Sequence, residues 1–187
     1  MGNLITRTTE LAMSVTLTYI KPGDTVIDAT CGTGKDTIVL ARAVGDEGSV
    51  YAIDIQKSAH LLTEARLKSH GIANVHLVMQ SFVSMCNHIP EKSASAVVFN
   101  LGYLPGSDKS VTTLRESTMK AVEAALRLLE DDGGLLIAVY PGHEEGTLEG
   151  NMLTEYFSTL DRRKICISQL RIVNSPTSPF FFLVEKR

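Results

Sequence analysis

Short apolar runs alternate with amphipathic segments along the chain. The runs predicted as buried strands are 25–29, 49–54, 75–79, 94–99 and 135–140. The segments predicted as helices are 4–20, 36–44, 58–70, a short piece at 82–86, a long one with Met119, Val122, Leu126 and Leu129 on one face, and 148–160. Strands separated by helices require crossover connections, which predicts a parallel sheet with helices on both faces.

The last two apolar runs depart from this alternation. They cover Lys164 to Arg171 and Phe180 to Glu185, and only residues 172–179 lie between them. A link of that length cannot contain a crossover helix, so these strands should pair antiparallel. We therefore expect a single Rossmann-like α/β domain over residues 1–187, with a seven-stranded, mostly parallel sheet and an antiparallel last strand.

Composition supports this reading. Charged residues make up 21% of the 187 residues and the hydrophobic set 44%, as in a globular domain of ordinary size. Cys31, Cys86 and Cys166 are far apart and form no CxxC pair, so we expect reduced thiols and no metal site. Without a signal peptide or a long apolar segment, the sequence predicts a cytoplasmic protein that does not enter a membrane.

Net charge limits the possible partners. A net charge of −3 argues against binding nucleic acid through bulk positive charge, because phosphate binding depends on clustered Lys and Arg. Local contacts with nucleic acid remain open.

The turn after the first strand, Asp28-Ala29-Thr30-Cys31-Gly32-Thr33-Gly34, is where an open α/β sheet would bind a ligand. A dinucleotide fingerprint would continue to Gly or Ala at position 37, which is Thr. A P-loop would need Gly at position 29 and Ser or Thr at 36, where the chain has Ala29 and Asp36. Hydride transfer is therefore disfavoured and the P-loop is excluded.

This turn resembles the first motif of class I methyltransferases, in which an acid ending strand one and a G-x-G turn hold S-adenosylmethionine (SAM). Asp54, ending the second strand, resembles the acid that accepts the ribose hydroxyls, although it could instead be a helix N-cap. The resemblance places Phe82, after the third strand, where it could stack on adenine. The cofactor-binding residues implied are Asp28, Thr30, Cys31, Gly32, Thr33, Gly34, Asp36, Thr37, Asp54, Ile55, Gln56, Ser81, Phe82, Asn100 and Gly102.

The loop after the fourth strand, residues 99–108, lies where a methyl acceptor would face the cofactor. Asn100 could orient an amine nitrogen through its amide oxygen, and Tyr103 could form a wall of the pocket. The alternatives are a turn residue bonded to its own backbone and a lid over the core. The loop resembles a relaxed form of the N-P-P-Y motif of amino-group methyltransferases, with Leu101 and Gly102 in place of the prolines.

Four segments together, DATCGTGKDT, AIDIQ, FNLGYLPGSD and YPGHEEG, resemble a small bacterial family labelled as rRNA methylases. Its members convert the 5-aminomethyl group of 2-thiouridine at the tRNA wobble position to 5-methylaminomethyl. The resemblance implies five residues at the reaction centre: Asn100, Tyr103, Tyr140, His143 and Asp28. Tyr140 could stack on the base, His143 could accept a proton or bond the uracil, and Asp28 could accept from an amine.

The resemblance implies the tRNA anticodon stem-loop as partner. The RNA would be held by Lys35, Lys109, Arg115 and the loop 174–180 at the rim of the site, or by the second subunit of a homodimer. Three other functions stay open: methylation of rRNA, methylation of a small-molecule amine, and binding of SAM or RNA without catalysis.

Overall fold

The chain folds around a seven-stranded sheet. The computed structural model describes residues 7–101 and 115–187. The strands are β1 (Thr25–Asp28), β2 (Ser49–Ile53), β3 (Val75–Val78), β4 (Ala94–Asn100), β5 (Leu129–Val139), β6 (Ile165–Leu170) and β7 (Phe180–Lys186). Their order is β3-β2-β1-β4-β5-β7-β6, and β7 runs opposite to the other six strands. The predicted Rossmann-like sheet and its antiparallel last strand are confirmed.

Six helices flank the sheet in the described residues. They are α1 (Thr8–Thr16), α2 (Lys35–Val44), α3 (Lys57–Ser69), α4 (Phe82–Met85), α5 (Arg115–Leu128) and α6 (Glu144–Ser158). No helix in this part of the chain is long and apolar enough to cross a membrane.

Alternate residues of the central strands feed two separate cores. Val26 and Val98 pack with α1 and α2 on one face, whereas Ile27 and Val97 pack with α4, α5 and α6 on the other. Burial on both faces explains why these strands are continuously apolar rather than alternating. The predicted layer of helices on each face is confirmed.

Two element boundaries differ from the sequence prediction. Leu129, expected on the last turn of the long helix, is the first residue of β5, and the pairing of β4 with β5 shifts register between Ala94 and Ala96. A buried Leu satisfies either element, so helical spacing could not separate them. Helix α6 begins at Glu144, four residues before the predicted Leu148, because the polar first turn is capped by His143 rather than buried.

A side chain near the end of β7 caps the C-terminal end of α5. The Lys186 ammonium donates hydrogen bonds to the carbonyls of Leu126 at 3.0 Å and Leu129 at 2.5 Å. The carbonyls at the C-terminal end of a helix have no N–H partner within the helix, and the helix dipole makes that end negative. Lys186 therefore ties the last strand to the helix that leads into β5.

We predict that Lys186→Met lowers the free energy of unfolding by about 1–2 kcal/mol, because charged hydrogen bonds to two carbonyls are lost. Urea unfolding followed by circular dichroism measures the change. The matched control is Lys164→Met, which removes an exposed lysine and should stay within about 0.5 kcal/mol. Equal effects of the two substitutions would contradict a capping role.

Candidate active site

The sheet reverses its winding between β1 and β4. The chain leaves β1 toward β2 on one side and reaches β4 on the other, so the carboxyl ends of β1 and β4 are neighbours. The backbone N–H of Asn100, at the end of β4, donates to the Thr30 hydroxyl at 2.7 Å. This bond joins the loop after β4 to the turn after β1, at the position where open α/β sheets bind ligands.

The turn after β1 depends on two glycines. Gly32 and Gly34 have φ angles of 51° and 74°, in the left-handed region that favours glycine. A Cβ atom on Gly34 would lie 2.9 Å from the Thr63 side chain of α3. The Thr63 hydroxyl in turn donates to the Gly32 carbonyl at 3.1 Å. The turn therefore packs tightly on α3 beneath it and presents backbone on its upper side.

Asp28 lies beneath this turn and is fully buried. Its carboxylate accepts the Thr37 hydroxyl at 2.6 Å and the Thr30 N–H at 3.4 Å. Burial, together with the smaller effect of the nearby Asp36 and Asp54 charges, raises the pKa of Asp28 to about 7, although the two hydrogen bonds oppose the shift. Asp28 and Thr37 thus fasten the turn to α2, and neither side chain offers surface for the direct contacts expected from the sequence.

The other cofactor residues expected in this turn divide by exposure. Cys31 is buried, and burial raises the pKa of its thiol to about 12, so it stays a neutral packing group. Thr30 and Thr33 are half-buried. Among the side chains of the turn, these two are therefore the ones that a ligand could reach.

Asp54 joins the first two turns of the site. One carboxylate oxygen accepts the Gly32 N–H at 3.1 Å and the other accepts the Gln56 N–H at 2.9 Å. Each oxygen keeps a second acceptor position, so a pair of ribose hydroxyls could still donate to the carboxylate. The N-cap role considered as an alternative falls to Gln56, which precedes α3.

Two large apolar side chains are exposed beside Asp54. Ile55 is 61% exposed and Met79 57% exposed. The register of β2 with β3 pairs Ile53 with Val78, so Ile55 and Met79 follow the ends of adjacent strands. Sequence reasoning named Ile55 but missed Met79. The available signal was an apolar residue, Met79, at the end of the predicted third strand.

The residues after β3 correct one expectation. Phe82 is 6% exposed, and its ring packs edge-on against Phe99 with centroids 4.9 Å apart. The ring belongs to the core and shows no face for adenine to stack on. Ser81 is the N-cap of α4, where its hydroxyl accepts the Ser84 N–H at 3.2 Å. Phe82 therefore anchors the short helix α4 in the core, and Ser81 caps its first turn.

Asn100 is held in one orientation by Asp36. Its amide nitrogen donates to the Asp36 carboxylate at 2.8 Å. A carboxylate can only accept, so the amide nitrogen must face Asp36 and the amide oxygen must face the other way. Tyr140, after β5, is 37% exposed, and partial burial followed by the negative charge of Asp36 raises the pKa of its hydroxyl. Asn100, Asp36 and Tyr140 thus form one cluster.

His143 has a structural task. It is the N-cap of α6, and its Nδ1 accepts the Gly146 N–H at 3.0 Å. A neutral ring with an accepting Nδ1 carries its hydrogen on Nε2, so the lone pair that would take a proton is already engaged. The structure therefore favours capping over the proton transfer expected from the sequence. Gly102, Tyr103, Lys109 and the Arg115 side chain lie outside the described residues.

This arrangement fits SAM. Two left-handed glycines expose backbone to an amino-acid portion, and Asp54 can accept the ribose hydroxyls. Ile55 and Met79 could flank a flat base. Within the described residues no group of His, Cys, Asp and Glu could hold a metal ion.

The comparisons with known proteins identify one family over most of the chain. The family model described as "Putative rRNA methylase" matches residues 50–186. The chain is 34% identical to a chloroplastic tRNA (mnm(5)s(2)U34)-methyltransferase of Arabidopsis thaliana, over 97% of this chain and 70% of that protein.

Two solved structures extend the likeness to the fold. A "putative rRNA-methylase" from Clostridium thermocellum is 32% identical with a TM-score of 0.92, covering 96% of this chain and 97% of that one. A "putative methyltransferase" from Streptococcus mutans in complex with SAH is 31% identical with a TM-score of 0.86, covering 96% and 98%.

We predict that Asp28→Asn changes how stability depends on pH in the cofactor-free protein. With a pKa of about 7 when folded and 3.8 as its reference, Asp28 is protonated in the folded state and ionised in the unfolded state between these values. The free energy of unfolding should therefore fall as pH rises from about 4 to 7, and the variant should lack this fall.

Urea unfolding at pH 5, 6, 7 and 8 measures the effect. Relative to the unsubstituted protein, Asp28→Asn should gain most at pH 8 and least at pH 5. The control, Asp46→Asn, removes an exposed carboxylate. Parallel profiles for Asp28→Asn and the unsubstituted protein would show that burial of Asp28 does not govern this interval.

Proposed function

The chain belongs to the family described as "Putative rRNA methylase", and from that premise we propose that it methylates the 5-aminomethyl group of uridine or 2-thiouridine at the tRNA wobble position. SAM-dependent methyl transfer follows from the family, the fold and the SAH-bound relative. The name of the Arabidopsis relative supports the nucleoside and the position within tRNA. The product would be the 5-methylaminomethyl nucleoside.

The observation that carries the proposal is the orientation of Asn100. Its amide oxygen faces away from Asp36, at the junction of the turns after β1 and β4. A primary amine that donates one N–H to this oxygen has its lone pair held in a fixed direction. Alignment of this kind is the main contribution a protein can make to an in-line displacement.

The cofactor would be held by the Gly32–Gly34 backbone and Asp54, with Ile55 and Met79 against adenine. Bound SAM supplies a methyl group on a positively charged sulfur. A neutral amine would displace the sulfur in line: the nitrogen would bond to the methyl carbon as the carbon–sulfur electron pair leaves with the sulfur as SAH, and the resulting ammonium would release its proton to solvent. Exclusion of water by Tyr140 would favour the neutral amine before attack, because burial disfavours a charge.

In this scheme Asn100 touches the substrate, whereas Asp36 is a positioning residue. Asp36 fixes the amide orientation, and after burial its negative charge is the second cause that raises the pKa of the Tyr140 hydroxyl. The anticodon stem-loop is the part of tRNA that would reach this cluster. Its wobble base lies in a single-stranded loop and can be turned outward.

We predict that the protein adds 14 daltons, the mass of one methylene, to 5-aminomethyl-2-thiouridine in tRNA when SAM is supplied. Nucleoside mass spectrometry after digestion measures the gain, with tRNA that lacks the aminomethyl group as the control. Free alkylamines and rRNA fragments serve as competing substrates. If SAH binds but no tRNA nucleoside gains mass, the proposed substrate is wrong. Turnover of a free amine would then support a small-molecule amine as the substrate.

We predict that Asn100→Ala lowers kcat on the order of 100-fold, because the amine loses its alignment. SAH affinity, measured by calorimetry, should change less than about threefold, since the cofactor contacts lie on other residues. Asp36→Asn should lower kcat about tenfold with little effect on KM, because either orientation of two facing amides allows a hydrogen bond. Turnover of Asn100→Ala equal to that of the unsubstituted protein would remove Asn100 from the reaction centre.

A further inference from the structure

The turn between β6 and β7 lies at the same edge of the sheet as the candidate active site. Strand β6 is antiparallel to β7, and β7 is antiparallel to β5, so β6 runs in the same direction as the parallel strands. Arg171, which follows β6, therefore lies at the carboxyl edge together with Asn100 and Tyr140. Residues 171–180 contain one basic residue and no acid.

The guanidinium of Arg171 packs on an aromatic ring. Its guanidinium carbon lies 4.8 Å from the centre of the Phe180 ring. Phe180 is 5% exposed and is packed against α6 at Gly150, where a Cβ atom would lie 2.8 Å from the ring. In the described part of the chain, Arg171 makes no ion pair with a carboxylate. One face of an exposed guanidinium is thus fixed, and its N–H groups remain directed to solvent.

The turn itself is held by its own hydrogen bonds. The Ser175 N–H donates to the Ile172 carbonyl at 3.2 Å, and the Ser178 N–H donates to the Ser175 carbonyl at 3.1 Å. The two serine hydroxyls are 2.7 Å apart. Val173 is 91% exposed beside Arg171. An exposed apolar side chain on a braced turn next to a cation is a surface suited to a partner with both charged and flat apolar parts.

This turn is close to the acceptor side of the site. A Cβ atom on Gly142 would lie 4.0 Å from the Thr177 carbonyl, so the turn borders the segment after Tyr140. Strand register places Asn100 opposite Ala138, Ala138 opposite Phe181, and Phe181 opposite Leu170. Three strand spacings separate Asn100 from this end of β6, or about 14–15 Å. Nucleotides adjacent to a base held at Asn100 would reach that far.

We propose that Arg171, held on Phe180, binds a backbone phosphate of the RNA strand next to the target base, with Val173 against the neighbouring nucleotide. The inference rests on the proposed function. A guanidinium matches two phosphate oxygens at once, which a lysine cannot do. The acids nearest to Tyr140 along the chain, Glu144 and Glu145, begin α6, so the RNA strand would pass on the β6 side of Tyr140.

The test is Arg171→Gln, with Arg162→Gln as a matched control. Arg162 precedes β6 at the opposite edge of the sheet, so both variants lose one positive charge from exposed sites near the same strand. Fluorescence anisotropy with an anticodon stem-loop RNA between 50 and 200 mM salt gives Kd and its salt dependence. Steady-state methylation of tRNA gives kcat and KM.

For Arg171→Gln we expect Kd and KM to rise about five- to tenfold, with kcat and SAH affinity within twofold. The slope of log Kd against log salt should fall by about 0.7, the value for one contact with single-stranded phosphate. Arg171→Lys, which keeps the charge, should retain the slope while Kd rises less. Arg162→Gln should match the unsubstituted protein.

Two results would overturn the inference while leaving the proposed function intact. In one, the unsubstituted protein methylates tRNA and Arg171→Gln keeps its Kd, KM and salt slope. In the other, Arg171→Gln and Arg162→Gln weaken RNA binding equally, which would show bulk charge instead of a contact. If the unsubstituted protein binds SAH but methylates no tRNA, the proposed function fails and the inference fails with it.

Discussion

The pairing of β1 with β4 is the constraint on which the site depends. It brings two segments 70 residues apart into contact, so that the Asn100 backbone donates to the Thr30 hydroxyl. The cofactor turn and the acceptor loop are then positioned by sheet register rather than by their own flexible connections. A site built on strand ends in this way gains the rigidity that alignment of two reactants requires.

Three acidic side chains hold different parts of the site around this junction. Asp28 is buried and fastens the glycine turn to α2, Asp54 clamps the turns after β1 and β2, and Asp36 orients Asn100. Their mutual repulsion contributes to the raised pKa of Asp28. A ligand with a positively charged sulfur and an ammonium would relieve that repulsion. Repulsion among these carboxylates in the cofactor-free protein would therefore favour binding of a cationic cofactor.

The sequence predicted the sheet and its reversal point because period and turn chemistry determine them locally. The glycine spacing around Gly32 and the acid at Asp54 were readable for the same reason. The orientation of side chains was not. Phe82 was expected to stack on adenine but packs on Phe99, and His143, expected to accept a proton or to bond the uracil, caps α6. The partner of Phe82 lies 17 residues away and is set by how α4 folds against β4, whereas the cap at His143 follows from where α6 begins, which the sequence pattern placed four residues too late.

The distribution of charge explains how an acidic chain could accept RNA. Many of its acids lie shortly before the parallel strands, among the first residues of β5 or near the end of β7, which is the edge opposite the site: Asp24, Asp46, Glu47, Glu91, Asp131, Asp132, Asp161 and Glu185. Screening limits their reach to about 8 Å at physiological salt. The field at the carboxyl edge is therefore set by the few charges present there, and a net charge of −3 does not describe it. In the proposed complex, Arg171 would add one positive charge to that edge, and a cationic cofactor would offset the acids beside Asn100.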